Sequence, residues 1–338
     1  MKFSLLLINI PDAGYPPERL LREDLEQVRV ARDAGFDGIV VGHHVLAHPY
    51  QFPDPLSLLA RLCAEAPGMH FATGIFLLPL YHPISVAEEI ATLDVACGGK
   101  FRFGVGLGYR SKEFDLFGLS SRDRVGRYTE SIEIIRRLWT NESVTYSGRH
   151  FRMEGVRTAL RPAQKPRVPF WFGADADVAV QRAIRLADTA VGDTWYVPSG
   201  TPLRTLEAQI AFYRSGLAEM GKPFPAEFPM RRNLYVAADR ATAFREVRPG
   251  IERIYASFTE WGLPGTQLEG RRADTFEERV KDTFVIGSPE DCTEDLRRFH
   301  ECTGANHFVL RIQWPGLTQS QVLKAIEMCG KKVFPGIR

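Results

Sequence analysis

Short apolar runs alternate along the chain with stretches in which apolar residues recur every three or four positions. The first kind predicts buried strands and the second amphipathic helices. Residues 3–10 (FSLLLINI) predict a first strand. Pro17 and Glu18 open a helix with Leu21, Leu25, Val28 and Ala31 on one face, and Gly35 is placed to end it. Residues 36–41 (FDGIVV) predict a second strand, 55–64 a helix, 70–78 (HFATGIFLL) a third strand and 84–97 the next helix. A fourth strand runs into 101–103. The helix expected over 122–139 carries Val125, Tyr128, Ile132, Ile135 and Trp139 as one buried stripe. Residues 144–153 (VTYSGRHFRM) break the rhythm and read as an inserted hairpin.

The second half repeats the pattern. Residues 169–173 (PFWFG) predict strand five, followed by a helix over 178–187, a short sixth strand at 189–191 and a helix over 203–220. Residues 233–237 (NLYVA) suit strand seven, with a helix over 241–261. Residues 284–286 and 289–302 make a further strand–helix pair, 307–312 (HFVLRI) is strand eight, and 322–329 is a closing helix. Residues 262–282 are glycine-rich, charged and aperiodic, and read as the least ordered part. Roughly eight strand–helix units without a linker favour one (β/α)8 TIM barrel with insertion segments, a single domain over 1–338, rather than a doubly wound sheet.

In such a barrel, ligands sit on the loops that leave the carboxyl ends of the strands. The stretch 100–110 (KFRFGVGLGYR) draws attention there, because Gly104, Gly106 and Gly108 strip side chains from the end of strand four. The glycines admit two readings: close approach of a flat or phosphorylated ligand, or close packing of strand, loop and helix. The other strand ends offer Asn9, His43 and His44, then Thr73 and Gly74, then Gly173 to Asp175, Trp195, and Arg311 to Trp314. They are poor in carboxylates. That disfavours a metal-dependent hydrolase, which needs converging His and carboxylate ligands, and a glycosidase, which needs a carboxylate pair. A planar cofactor in a mostly apolar pocket fits better.

Composition adds mainly exclusions. The net charge of +2 with dispersed basic residues points to neither nucleic acid nor an anionic membrane. The five cysteines are scattered without a C-x-x-C pair, so neither a zinc site nor a disulfide framework is expected. The apolar start is too brief for a membrane span and lacks a signal-peptide cleavage pattern, leaving a cytoplasmic enzyme as the expectation.

Adjacent residues at a strand end point opposite ways, so at most one of His43 and His44 should enter the pocket. That one is either a proton donor or acceptor near neutral pH or a histidine bonded to a neighbouring loop. His82, before Pro83, reads as a brace for the following helix. Tyr128 lies on the core stripe, and its hydroxyl needs a partner, for which a phosphate is one candidate. The turn Gly173-Ala174-Asp175 leads into a helix whose free N–H groups could cradle that phosphate, although Asp175 opposes a close anion unless it caps the helix and points away.

Several segments together resemble the bacterial luciferase-like flavin-dependent monooxygenase family. They are His44 after strand two, FATGIFLLPLYHPISVAEEIATLD, GGKFRFGVGLGYRSKEFDLFGL, RVGRYTESIEIIRRLWTNESVTYSGRHFRMEG, PFWFGADADVAVQRAIRLAD and FVLRIQWPG, in the family's order. The resemblance implies a barrel with an insertion, a homodimer, and reduced FMN at the carboxyl ends of the strands. Thr73, Gly74, Gly104 and Gly106 would flank the isoalloxazine ring. Tyr128 and Gly173-Ala174-Asp175 would meet the ribityl phosphate, with His44 on the substrate side. On an oxygenase reading, Arg311 after strand eight is the residue expected to hold an anionic substrate group. This chain departs from many members at Gly42, where they carry Glu, and at Ala174 and Asp175, where Gly or Ser is frequent.

The activity so implied is oxygenation of a small organic substrate by dioxygen through a flavin hydroperoxide, with a separate NAD(P)H-dependent flavin reductase as partner. Two alternatives stand beside it: a dehydrogenase or reductase using a 5-deazaflavin coenzyme, and a flavin-binding subunit without chemistry of its own.

Overall fold

A computed structural model of the chain describes residues 1–11, 14–261 and 276–338. Strand β1 (Lys2–Leu7) leads through α1 (Pro17–Asp33) to β2 (Gly38–Val41), α2 (Pro55–Leu62) and β3 (His70–Thr73). A short β4 (Phe76–Leu77) precedes α3 (Pro83–Ala96), and β5 (Phe101–Gly106) follows. Then come α4 (Ser111–Leu116), α5 (Arg124–Thr140), a hairpin of β6 (Val144–Ser147) and β7 (Arg152–Val156), and β8 (Phe170–Gly173) with α6 (Asp177–Leu186). The remainder is β9 (Thr194–Tyr196), α7 (Leu203–Glu219), β10 (Pro229–Val236), α8 (Arg240–Glu260), α9 (Phe276–Val280), β11 (Phe284–Gly287), α10 (Pro289–Thr303), β12 (His307–Arg311) and α11 (Gln319–Met328).

The strands pair in the order β11-β10-β12-β1-β2-β3-β5-β8-β9, and every pairing is parallel. The run from β10 to β9 closes into a ring, with β11 paired to β10 beside it. An isolated parallel bridge joins Val197 to Met230, and the Val197 amide donates to the Pro229 carbonyl at 3.0 Å while the Arg231 amide donates to Val197 at 2.9 Å. The result is a TIM-barrel-like fold. Alternation along each strand sorts side chains to two faces. Leu6, Val40, Ala72, Trp171, Tyr196 and Val309 pack together inside the ring, whereas the large cluster containing Phe3, Leu5, Ile39 and Phe71 packs against the helices.

At the amino end of the strands a buried polar chain fills the ring. Ser4 Oγ lies 2.7 Å from His307 Nε2, and His307 Nδ1 lies 2.8 Å from Glu227 Oε1, which Lys2 also reaches through the second oxygen at 2.7 Å. The order serine–histidine–carboxylate is that of a hydrolase triad, but Ser4 is 1% exposed and β2 presses on it so closely that a Cβ at Gly38 would stand 2.6 Å from its Oγ. No acyl group can reach that hydroxyl.

Several expectations change: Leu21 leaves the α1 stripe at 40% exposure while Leu20 is buried, and the third strand ends at Thr73, with Phe76–Leu77 forming the separate β4. The sixth strand is Thr194–Tyr196, not 189–191. Residues 189–192 turn instead, because the Asp193 carboxylate gathers the Arg167 guanidinium at 2.7 and 2.8 Å, the Arg136 guanidinium at 2.6 Å and the Phe170 and Asp188 amides at 2.8 and 3.0 Å. Strand β10 starts at Pro229, well before residue 233. Val125 leaves the α5 stripe and is 38% exposed, while Tyr128, Ile132, Ile135 and Trp139 are buried. Helix α4 was not expected; at six residues it is too short to display a period. The inserted hairpin forms, its turn held by the Glu130 carboxylate, which accepts from the Arg149, His150 and Phe151 amides. The aperiodic stretch lies outside the described residues as far as residue 275; α9 follows directly.

Candidate functional site

Beyond β2 the two histidines diverge as the strand geometry requires. His43 is buried: its Nδ1 accepts from the Leu77 amide at 3.2 Å, its Nε2 lies 3.2 Å from the Tyr81 hydroxyl, and its ring stacks on Phe76. Burial, helped by the neighbouring His44, lowers its pKa to about 4. It is a neutral brace between β2 and the β3–α3 connection. His44 points the other way, into a nest of rings made by Phe52, Tyr109 and Trp261 with centroids 5.0, 5.8 and 5.6 Å away.

Below His44 lies a carboxylate that the sequence reading missed. Glu113, at the start of α4 and 2% exposed, places Oε1 3.3 Å from His44 Nδ1. The same oxygen takes the Arg110 guanidinium at 3.1 Å, and Arg110 in turn lies over the Trp261 ring at 4.3 Å and donates to the Val45 carbonyl at 3.3 Å. With Nδ1 directed at Glu113, Nε2 is the ring nitrogen left to face outward. The signal for Glu113 and Arg110 was their position: they stand on the first turn after the glycine stretch.

The glycines of β5 turn out to accommodate β3 and its extension. A Cβ at Gly104 would fall 1.8 Å from the Thr73 carbonyl oxygen, and Thr73 itself donates to the Gly104 carbonyl at 2.7 Å. A Cβ at Gly106 would fall 1.8 Å from Ile75 Cδ1, and one at Gly173 would fall 3.0 Å from Ile75 Cγ2. Gly74, joined to Ile75 by a cis peptide, leaves no room for a Cβ between Val40 and the Tyr196 hydroxyl. The three strands thus converge on Ile75, which stands partly exposed at the carboxyl end of the ring.

The expected phosphate residues are also partly engaged. The Tyr128 hydroxyl donates to the Val105 carbonyl at 3.4 Å, and burial raises the phenol's pKa well above its usual value. The Ala174 carbonyl accepts from the Trp195 indole at 2.9 Å, and the Asp175 carbonyl accepts from Gln209 at 2.9 Å. Helix α6 begins at Asp177 with no side-chain cap. The Asp175 side chain is exposed at the lip of the ring, yet enough protein surrounds it for desolvation to raise its pKa, against the pull of Arg231. Arg182 on α6 lies within electrostatic reach of Tyr128, Arg124 and Arg185.

At the far side of the ring, Arg311 is 1% exposed. Its Nε donates to the Gln313 carbonyl at 3.1 Å and its guanidinium lies 4.1 Å over Trp314. Its Nη2 is buried without a partner among the described residues, as are Asn233 Oδ1, Gln313 Oε1 and the Tyr196 hydroxyl. Burial, together with Arg231, lowers the Arg311 pKa to about 9. Orphaned donors and acceptors of this kind ordinarily mark a place where a ligand or water completes the bonding. No cluster of three or more His, Cys, Asp or Glu among the described residues could hold a metal, and no helix among them is long and apolar enough to cross a membrane.

A parallel barrel with a histidine–carboxylate pair, aromatic rings and orphaned polar groups at its carboxyl end defines an enzyme-like architecture rather than a scaffold. The chain belongs to the luciferase-like monooxygenase family, whose model matches residues 1–306. Among its relatives, the 4-hydroxyprotoasukamycin monooxygenase of Streptomyces nodosus subsp. asukaensis is 27% identical over 317 residues, 90% of this chain and 83% of that protein. The F420-dependent glucose-6-phosphate dehydrogenase of Nakamurella multipartita is 26% identical over 320 residues, 91% of this chain and 90% of that protein. The crystal structure of monooxygenase RslO1 from Streptomyces bottropensis superposes with a TM-score of 0.87 at 22% identity, covering 99% of both chains. The family thus contains both flavin-dependent monooxygenases and F420-dependent dehydrogenases.

Proposed function

We propose that the chain is the oxygenase of a two-component system, a monooxygenase that uses reduced FMN and dioxygen to oxygenate a small organic substrate. The observation that carries this reading is the His44–Glu113 pair set among Phe52, Tyr109 and Trp261 at the carboxyl end of the barrel. Reduced FMN, when bound, supplies the electrons that activate dioxygen. The chain's own residues do the rest. Ile75, supported by Gly74, Gly106 and Gly173, forms an apolar surface for the ring system, and the orphaned Tyr196, Asn233 and Gln313 atoms match its polar edge. The first turn of α6 after Gly173-Ala174-Asp175, with Arg182 further along the same helix, would hold the phosphate.

Glu113 holds the His44 ring with Nδ1 toward itself, so that Nε2 gives or takes a proton at the substrate. The aromatic rings around His44 exclude water from that proton. A separate NAD(P)H-dependent reductase delivers the reduced flavin, and the chain acts as a homodimer of single-domain protomers.

The second reading, hydride transfer with a 5-deazaflavin coenzyme, draws on the group formed by Arg124, Arg182 and Arg185. None of them has a carboxylate at ion-pair distance among the described residues, so they could take a longer acidic tail. Anaerobic titration with reduced FMN and, separately, with reduced deazaflavin coenzyme decides between them. Tighter binding of FMN supports the oxygenase, and selective binding of the deazaflavin overturns it. His44→Ala then tests for chemistry: lost turnover with flavin binding retained supports the assigned role, and unchanged turnover would remove His44 from the reaction.

A further inference from the structure

Strands β10 and β12 put two arginines on the inner face of the barrel. Val309 belongs to the interior cluster, so Arg311, two residues on, projects inward as well. Arg231 is in register with Val309 and Asn233 with Arg311, which places Arg231 and Asn233 on the same inner face. Arg231 is half-buried, whereas Arg311 is 1% exposed. Each keeps a buried guanidinium nitrogen without a partner among the described residues, Nε in Arg231 and Nη2 in Arg311.

Arginine remains charged, and a buried charge is retained at bearable cost only when an opposite charge meets it. No described carboxylate forms an ion pair with either side chain; Asp175 stands nearest in charge, felt by Arg231 but not within bonding distance. Two guanidinium groups against one carboxylate leave a net charge of about one positive unit at this face of the ring. The groups facing Arg231 also include Tyr109 and Tyr196. Tyr109 packs on His44, so the unpaired charge adjoins the aromatic nest in which the proton-transfer residue sits.

We propose that Arg231 and Arg311 form a subsite for the anionic head of an organic substrate, a carboxylate or similar planar anion, whose apolar body lies toward Tyr109 and His44. This rests on the oxygenase reading only for the word substrate; the anion site follows from the arginines. A planar oxyanion can accept from both guanidinium groups, and hydrogen bonds between charged partners are the strong class.

Isothermal titration of the flavin-free protein with benzoate and with its neutral isostere benzamide tests the proposal. Benzoate is expected to bind at least ten-fold more tightly than benzamide. Arg231→Gln is expected to weaken benzoate by about ten- to a hundred-fold, the range of a lost charged hydrogen bond, while leaving benzamide unchanged. Asp175→Asn, which removes the opposing negative charge, is expected to tighten benzoate. Arg231 is the variant of choice because Arg311→Gln alters a fully buried position, and thermal melting confirms that each variant folds. Equal binding of benzoate and benzamide, or unchanged benzoate binding in Arg231→Gln, overturns the proposal. Inorganic phosphate displacing benzoate at equal affinity would show a site for inorganic anions only. Reduced FMN displacing benzoate would assign the arginines to the cofactor; either result also overturns it. If benzoate binds as expected while reduced FMN does not bind at all, the anion site stands and the flavin reading falls.

Discussion

Gly106→Ala isolates what the glycine stretch does. The added Cβ would stand 1.8 Å from Ile75 Cδ1 and 3.1 Å from Ile75 Cγ1. Carbon atoms settle at about 3.5–4.0 Å, so the Ile75 terminus must retreat by about 2 Å, more than bond-angle flexing provides, and the side chain must change rotamer. Overpacking of this kind costs about 1–3 kcal/mol, offset by about 0.4–1 kcal/mol because alanine restricts the unfolded chain. The expected loss is thus about 1–2 kcal/mol. Ile75→Val removes the clashing Cδ1 and costs about 0.5–1.5 kcal/mol alone. In the double variant the two costs should overlap, leaving a coupling of about 1 kcal/mol in urea unfolding.

Gly104→Ala should behave differently, because its Cβ would meet the Thr73 carbonyl oxygen at 1.8 Å, and that is backbone. No trimming of a side chain rescues it, and the loss should exceed that of Gly106→Ala. Additive losses in the Gly106→Ala, Ile75→Val pair would refute the claim that Gly106 is empty to admit Ile75.

Other outcomes follow from the buried charges and the site. Asp193→Asn removes the charge that Arg167 and Arg136 share, at a residue fully excluded from solvent, and should cost about 3–5 kcal/mol in urea unfolding; a loss below 1 kcal/mol would contradict the assignment. Burial lowers the pKa of His43 and His70 to about 4, so the unfolded chain takes up protons first as pH falls below 6.5, and stability is lost from there toward pH 4. Asp24 opposes this. Burial raises its carboxyl pKa to about 7, so its contribution grows as pH falls from 7 toward the unfolded value. Asp24→Asn should therefore lose about 2–3 kcal/mol more than the parent between pH 7 and pH 5, and parallel pH profiles would refute it. Glu113→Gln should lower turnover by about ten- to a hundred-fold and alter its pH profile while reduced-flavin affinity holds; an unchanged profile would remove Glu113 from the proton path.

The barrel was legible because each strand is a compact apolar run and most helices carry a stripe, as in α1, where Leu25, Val28 and Ala31 are buried as expected, although Leu20 rather than the 40% exposed Leu21 completes the stripe. The sixth strand was misplaced because 189–191 is apolar enough to pass for a strand, whereas Thr194–Tyr196 is only three residues long and owes its position to Asp193, whose four partners come from three separate stretches of the chain. The early part of β10 escaped notice because Met230-Arg231-Arg232 breaks apolar alternation. Its two charged side chains serve opposite faces, with Arg231 turned into the ring and Arg232 lying 4.3 Å over Phe299 outside it.

Local pattern also separated His43 from His44 by direction, but not by role. Only the fold reveals that His43 is tied to Leu77 and Tyr81, and that His44 meets Glu113, 69 residues away. The glycine stretch carried two readings that the sequence could not part. Ile75, contributed by the neighbouring strand's extension, occupies the space of Gly106 and Gly173, and a contact of that kind leaves no local mark in the chain.

On the proposed reading, this barrel binds reduced FMN and directs it toward dioxygen. The most direct test mixes the anaerobic complex of protein and reduced FMN with oxygenated buffer and follows flavin absorbance together with hydrogen peroxide release. The bound flavin is expected to react with dioxygen, with the return of oxidised flavin and the release of peroxide both delayed relative to free reduced FMN and His44→Ala shortening the delay. Bound flavin that ignores dioxygen, or that oxidises and releases peroxide as quickly as it does free in solution, would contradict that reading.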